Sequence, residues 1–143
     1  MKTIGVFVGS FNPFHKGHLN ILNQSKLIFD RVIVARGYNT EKDYTDKYLS
    51  LDKNKYIDDE YIGLLSDFVD KIESENKDYN VVLIRGVRDS KDLEYEEKQL
   101  YFLKRIKPGL KHVFILCNPA FKYISSSAIR ELTKFNKHKD YMP

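Results

Sequence analysis

An unbroken apolar run, Ile4 to Val8, leads into Gly9-Ser10-Phe11-Asn12-Pro13-Phe14-His15-Lys16-Gly17-His18 and then into an amphipathic stretch from Leu19 to Phe29. A strand that passes through a glycine-bearing turn into a helix admits few architectures, because the helix must cover the sheet to which the strand belongs. The same junction is a ready anion site, since the unpaired N–H groups and the positive dipole of a helix start face whatever the turn encloses. Gly9 and Gly17 permit close backbone approach, Pro13 stiffens the turn, and His15 and His18, three residues apart, can share one face as the helix begins. Two imidazoles at a positive helix end point to phosphate chemistry.

Apolar runs and helical patterns alternate along the rest of the chain. Strands are predicted at Thr3 to Val8, Arg31 to Ala35, Val81 to Ile84 and His112 to Leu116, each short and rich in β-branched or aromatic residues. Helices are predicted at Leu19 to Phe29, with Ile21, Leu22, Ile28 and Phe29 near one apolar stripe, and at Leu93 to Ile106, with Leu93, Leu100 and Leu103 on another. Pro108-Gly109 stops the second of these, and a last helix is expected from Ser126 through Ile129 and Leu132. Between Tyr38 and Lys77 only Ile62 to Ile72 reads as helical, and no strand is predicted. The β-α-β order implies an α/β fold, a Rossmann-like doubly wound parallel sheet with helices on both faces.

Charge and cysteine content narrow the function classes. The net charge of +4 would suit nucleic acid or small polyanions equally. Basic and acidic residues interleave from Glu41 to Lys77, and no nucleic-acid reader motif is present, so no nucleic-acid partner is expected. No apolar run approaches the roughly 18 residues that span a bilayer, and no leader pattern precedes the first strand; no membrane association and a cytoplasmic location are the expectation. The lone Cys117 ends an apolar run and reads as a buried thiol with no assigned chemistry.

Four clusters fall at or beyond the carboxyl ends of predicted strands, where open α/β sheets bind ligands. They are the GSFNPFHKGH turn, Arg36 to Lys42, Arg85-Gly86-Val87-Arg88, and Tyr123-Ile124-Ser125-Ser126-Ser127. Taken singly each has an ordinary reading. Either histidine could be a cap, Arg85 and Arg88 could pair with Asp92 or Glu94, Ser125 to Ser127 could simply cap a helix, and Glu96 could face solvent. Two histidines without a third ligand leave a zinc site unsupported, and no protein metal ligand is assigned.

Together these strings resemble bacterial-type phosphopantetheine adenylyltransferases, within the nucleotidyltransferase superfamily that carries an HxGH signature. GSFNPFHKGH is similar to the superfamily's first motif, RGVRDSKDLEYE (Arg85 to Glu96) to the family's RGxRxxxDxEYE segment, and YISSSAIREL (Tyr123 to Leu132) to its ISSS segment. The resemblance implies one nucleotidyltransferase domain over residues 1–143 whose substrates are ATP and 4'-phosphopantetheine and whose products are dephospho-coenzyme A and pyrophosphate. It implies that Ser10 and His18 meet both substrates, with Lys42 and Arg88 completing the catalytic set. Ser10, Lys42, Leu65 and Arg85 would bind the acceptor. Ser10, Phe11, His18, Gly86, Val87, Arg88 and Glu96, with Phe121, Lys122, Tyr123, Ile124, Ser125, Ser126 and Ser127, would bind ATP. Mg²⁺ is expected to arrive on the ATP phosphates. A homo-oligomer is implied as well, the relatives being hexamers.

Two segments differ from the family pattern. Asp43 to Ile62 is shorter and lacks the family's opening signature, so the middle region is expected to be shortened, and the relatives continue with a further helix past the position of Pro143. Two other readings stay open: another HxGH nucleotidyltransferase, such as a nicotinamide-nucleotide adenylyltransferase, and a non-catalytic nucleotide-binding module.

Overall fold

In the computed structural model, which describes residues 1–38 and 55–143, every side chain from Ile4 to Val8 is buried. A strand buried on both faces belongs in the middle of a parallel sheet, and β1 (Lys2–Gly9) lies there. It pairs in parallel with β2 (Arg31–Tyr38) on one side and β4 (Tyr79–Val87) on the other. A short β3 (Asp59–Ile62) extends the sheet beyond β2, and β5 (Lys111–Leu116) extends it beyond β4. The order is β3-β2-β1-β4-β5, all parallel. Chain progression reverses between β1 and β4, and that reversal opens a crevice at the carboxyl ends of these two strands.

Alternation along β1 divides the core into two layers. Ile4, Val6 and Val8 face α2 (Leu65–Glu75) and α3 (Ser90–Ile106), packing with Phe68, Val69, Ile72 and Leu100. Phe7 faces the opposite layer, where Ile21 and Leu22 of α1 (Lys16–Ile28) meet Ile84 and Ile115. The last helix, α4 (Ser126–Thr133), buries Ile129 and follows a 3₁₀ turn at Pro119–Phe121. Helices therefore cover both faces, as the strand-helix alternation predicts. Among the described residues no helix is long and apolar enough to cross a membrane.

Several sequence expectations need correction. β3 exists where no strand is predicted: it has four residues, pairs with β2 alone among the described residues, and reads Asp-Glu-Tyr-Ile, so it offers no apolar run. α2 begins at Leu65 rather than Ile62, which ends β3. α1 begins at Lys16 because His15 caps it, and Ile28, placed on the apolar stripe by the periodicity, is 61% exposed. Leu93 is 40% exposed, and Leu100 is the one buried residue of α3. Most of Asp43 to Ile62 lies outside the described residues.

Packing of α1 on the sheet depends on Gly5. A Cβ there would come 2.7 Å from the Phe29 ring and would overlap Ile84. Overpacking of this kind costs about 1–3 kcal/mol, so Gly5→Val is expected to lower the unfolding free energy by that much, read as a lower urea midpoint with the m-value unchanged. An unaltered midpoint would show that α1 can shift freely.

Candidate active site

At the carboxyl end of β1 the chain turns sharply. Phe11 has φ of 42°, in the left-handed region, and its ring packs edge-on against Phe7 at 5.1 Å and His18 at 4.9 Å. A Cβ on Gly9 would lie 2.9 Å from that ring, so the close return of the turn requires glycine. The turn ends in a cap built from two histidines. His15 Nδ1 accepts from the N–H groups of Gly17 (3.1 Å) and His18 (3.4 Å), while His18 Nδ1 accepts from the His15 N–H (3.1 Å). The rings stack with centroids 3.7 Å apart.

A ring nitrogen that accepts a hydrogen bond carries no proton, so each neutral imidazole holds its proton on Nε2. Burial lowers the His15 pKa to about 4, with the Arg88 charge adding to it. Burial also lowers His18 well below the usual range, aided by His15, Arg88 and Arg85. Both rings are neutral at pH 7, and His18 lines the cavity as a neutral donor.

From the end of β4 come two guanidinium groups, each held by a carboxylate of α3. Arg85 Nε and Nη2 donate to Glu96, both at 2.8 Å, and Nη1 donates to the Val8 carbonyl at 3.1 Å. Arg88 Nε and Nη2 donate to Asp92 at 2.9 and 3.2 Å, and Nη1 donates to the Ile124 carbonyl at 3.2 Å. The hydrogen bond from Arg88 holds the Asp92 carboxyl below its usual range, and Asp92 in turn raises Arg88. Asp92 and Glu96 stand four apart on α3 and so present both carboxylates to one side.

α4 is pinned to the first turn from across the crevice. Ser126 Oγ donates to the Pro13 carbonyl at 3.0 Å, and Arg130 Nη1 donates to the Asn12 carbonyl at 2.6 Å. Ser125 caps the helix, accepting from Ala128 N–H at 3.1 Å. These elements enclose a cavity of about 310 Å³ lined by Ser10, His18, Arg85, Arg88, Ser125 and Ser126, among others. A second cavity, about 520 Å³, is lined by Gly37, Tyr38, Tyr61, Leu65 and Gln99. Gly9, Ser10 and Arg85 line both.

The cytidylyltransferase-like family model matches residues 6–132. The phosphopantetheine adenylyltransferase of Streptococcus gordonii is 35% identical over 149 residues, spanning 98% of this chain and 88% of that protein. That of Clostridium botulinum is 34% identical over 153 residues, spanning 100% and 89%. The chain belongs to the phosphopantetheine adenylyltransferase family, among the cytidylyltransferase-like proteins. Its fold is similar to that of Plasmodium falciparum nicotinic acid mononucleotide adenylyltransferase solved in complex with NaAD, with a TM-score of 0.68, 16% identity, and 99% and 91% of the two chains covered. At that identity the likeness is one of fold alone.

Against this family membership the expected residues divide by place. Ser10, Phe11, His18, Arg85, Gly86, Val87, Arg88, Glu96, Ile124, Ser125 and Ser126 all line the first cavity, and Leu65 lines the second. Phe121 packs into the core beneath α1, while Lys122, Tyr123 and Ser127 are exposed and lie off the cavity wall. Lys42 lies outside the described residues. The Glu96 oxygens are taken up by Arg85, and Arg88 pairs with Asp92 rather than Glu94. Asp92 is the partner the sequence offers for Arg88, whereas Arg130 is an organiser of the site that sequence reading missed, and Cys117, buried as expected, proves to line the cavity. Nothing local marks Arg130.

The histidine cap makes stability depend on pH. His15 titrates near 6.5 when unfolded and about 4 when folded, so between those values the unfolded chain binds more protons and stability falls as pH falls. From roughly pH 7 to roughly pH 5 His15 alone should remove about 2 kcal/mol. Urea titrations across that range are expected to show the loss, and His15→Gln, which can still accept from Gly17 N–H, should flatten it.

Proposed function

We propose that this chain transfers the adenylyl group of ATP to the phosphate of 4'-phosphopantetheine, releasing pyrophosphate and forming dephospho-coenzyme A. The observation that carries the reading is the meeting of two cavities at Gly9, Ser10 and Arg85. Two molecules seated one in each would touch where a single turn and a single guanidinium serve both. The relatives named phosphopantetheine adenylyltransferase support ATP and phosphopantetheine as the pair.

An oxygen of the acceptor phosphate attacks the α-phosphorus in line; that P–O bond forms as the bond to the pyrophosphate oxygen breaks. The nucleophile is already anionic, so no protein base is needed. What the protein must supply is alignment of two polyanions and stabilisation of charge moving onto phosphoryl oxygens. In this reading Arg85 and Lys42 hold the acceptor phosphate, and Arg88 and the start of α4 hold the triphosphate. His18 donates from Nε2 to an α-phosphoryl oxygen; being neutral, it adds a hydrogen bond without transferring a proton. Glu96 and Asp92 keep the two arginines oriented.

Because both of those carboxylates are engaged by arginines, and no cluster of three His, Cys, Asp or Glu able to hold a metal occurs among the described residues, the donor set fits an ion carried on the nucleotide rather than caged by protein. Mg²⁺ on the ATP phosphates would screen their charge. A cytoplasmic location goes with the reading, since ATP and a phosphorylated acceptor are met there. So does the expected homo-oligomer, for which the exposed Phe102 and Ile106 of α3 offer apolar surface.

Pyrophosphate release from ATP and Mg²⁺ should require phosphopantetheine in a panel that includes nicotinate mononucleotide. Turnover with the latter alone would reassign the acceptor, and ATP binding without turnover would indicate a binding module. His18→Ala is expected to lower kcat roughly 10²–10³-fold with ATP affinity retained, as for loss of one preorganised donor. Lys42→Ala should mainly raise the KM for phosphopantetheine; a defect confined to ATP would move Lys42 to the other substrate.

A further inference from the structure

The largest fully buried side chain among the described residues is a charged one, Arg36, at 1% exposure. It sits on β2 opposite Gly9 of β1 and opposite Glu60 of β3. Its Nη2 donates to the Phe11 carbonyl at 2.7 Å, and its Nη1 lies 3.8 Å from Glu60 Oε1. Glu60 Oε1 also accepts from the Tyr38 hydroxyl at 2.9 Å, and Tyr38 lines the second cavity. Burying a guanidinium is costly unless its partners are well placed, and the adenylyl-transfer steps give Arg36 no direct part.

The group it holds is unusual. Phe11 is a bulky residue in the left-handed region, a costly conformation that persists only where surrounding contacts over-determine it. Its ring supports His18 edge-on at 4.9 Å, and Ser10, next to it, lines both cavities. A charge-assisted hydrogen bond to the carbonyl of that one residue fixes both neighbours at once.

We propose that Arg36 is a positioning residue for the transfer reaction: by holding the Phe11 carbonyl, it sets where Ser10 and His18 stand between the two substrates. Arg36 itself touches neither substrate. Misplacement of a reacting group by about an ångström costs on the order of 10²-fold in rate, so the effect belongs in kcat rather than in ATP affinity. The inference rests on the proposed adenylyl transfer, yet its geometric part can be read without turnover.

The experiment combines kinetics with the imidazole NMR signals of the four histidines in the full chain. Arg36→Met is expected to lower kcat about 10²-fold with the KM for ATP little changed. It should shift the His18 resonance through the altered Phe11 ring current while His112 and His138 stay in place. Arg36→Lys, which can still donate to the carbonyl, should recover most of the rate and the parental His18 signal. If Arg36→Met does not fold, Glu60→Gln, at a side chain 45% exposed, serves instead, with a smaller loss of kcat and a His18 shift of the same sign. An unmoved His18 signal with kcat unchanged in whichever of the two variants folds overturns the proposal, as does a lysine variant as impaired as the methionine one. Should the parent chain release no pyrophosphate, the functional reading fails, while the histidine spectra still decide what Arg36 holds.

Discussion

Two positive charges must be kept close together and still, and nearly everything at this site follows from how that is done. Arg85 and Arg88 leave the same strand end three residues apart and would repel each other or wander if unpaired. The carboxylates that hold them, Glu96 and Asp92, come from one face of α3, so helix geometry sets the spacing of the cations. Each arginine keeps a further nitrogen on a backbone carbonyl, of Val8 and of Ile124, which ties the cations to β1 and to the segment before α4. A site organised in this way meets a polyanion with little rearrangement left to do.

The fixed cations explain the histidines. Burial and the Arg88 charge disfavour an imidazolium at either position, with Arg85 and the rings of Phe7, Phe11 and Phe14 added around His18, so both rings stay neutral and spend their acceptor nitrogens on capping α1. That leaves Nε2–H as what His18 can offer. The turn carrying it is held at three points: by Arg36 on Phe11, by Arg130 on Asn12 and by Ser126 on Pro13. All three donors bond backbone carbonyls of successive turn residues. The path of the chain, more than any side chain on it, is what the surroundings specify.

Legibility in the sequence varied with how local each signal is. β1, β4 and α1 announce themselves through apolar runs and periodicity, because a strand buried on both faces or a helix laid on a sheet must carry that pattern. β3 does not: at a sheet edge one neighbour's hydrogen bonds suffice, and Asp59 to Ile62 needs no apolar run to pair with Ala35 to Tyr38. Ile28 and Leu93 followed the helical period yet face solvent, since position on a helix says nothing of where the neighbouring layer ends. Glu96 lines the first cavity with the other residues of its motif, but the pairing of its oxygens with Arg85 is set by the fold.

The order of residues along the chain was enough to determine the α/β class, the strand-turn-helix junction and the motif set shared with the phosphopantetheine adenylyltransferase family, because these are encoded in contiguous stretches of about ten residues. Partnerships across many residues were decided only by the fold: Arg130 with Asn12, Arg36 with Phe11, and the shared wall of the two cavities at Ser10 and Arg85. The physical reason is that such contacts depend on which strands lie side by side, and a parallel sheet brings together segments that have no local mark of each other.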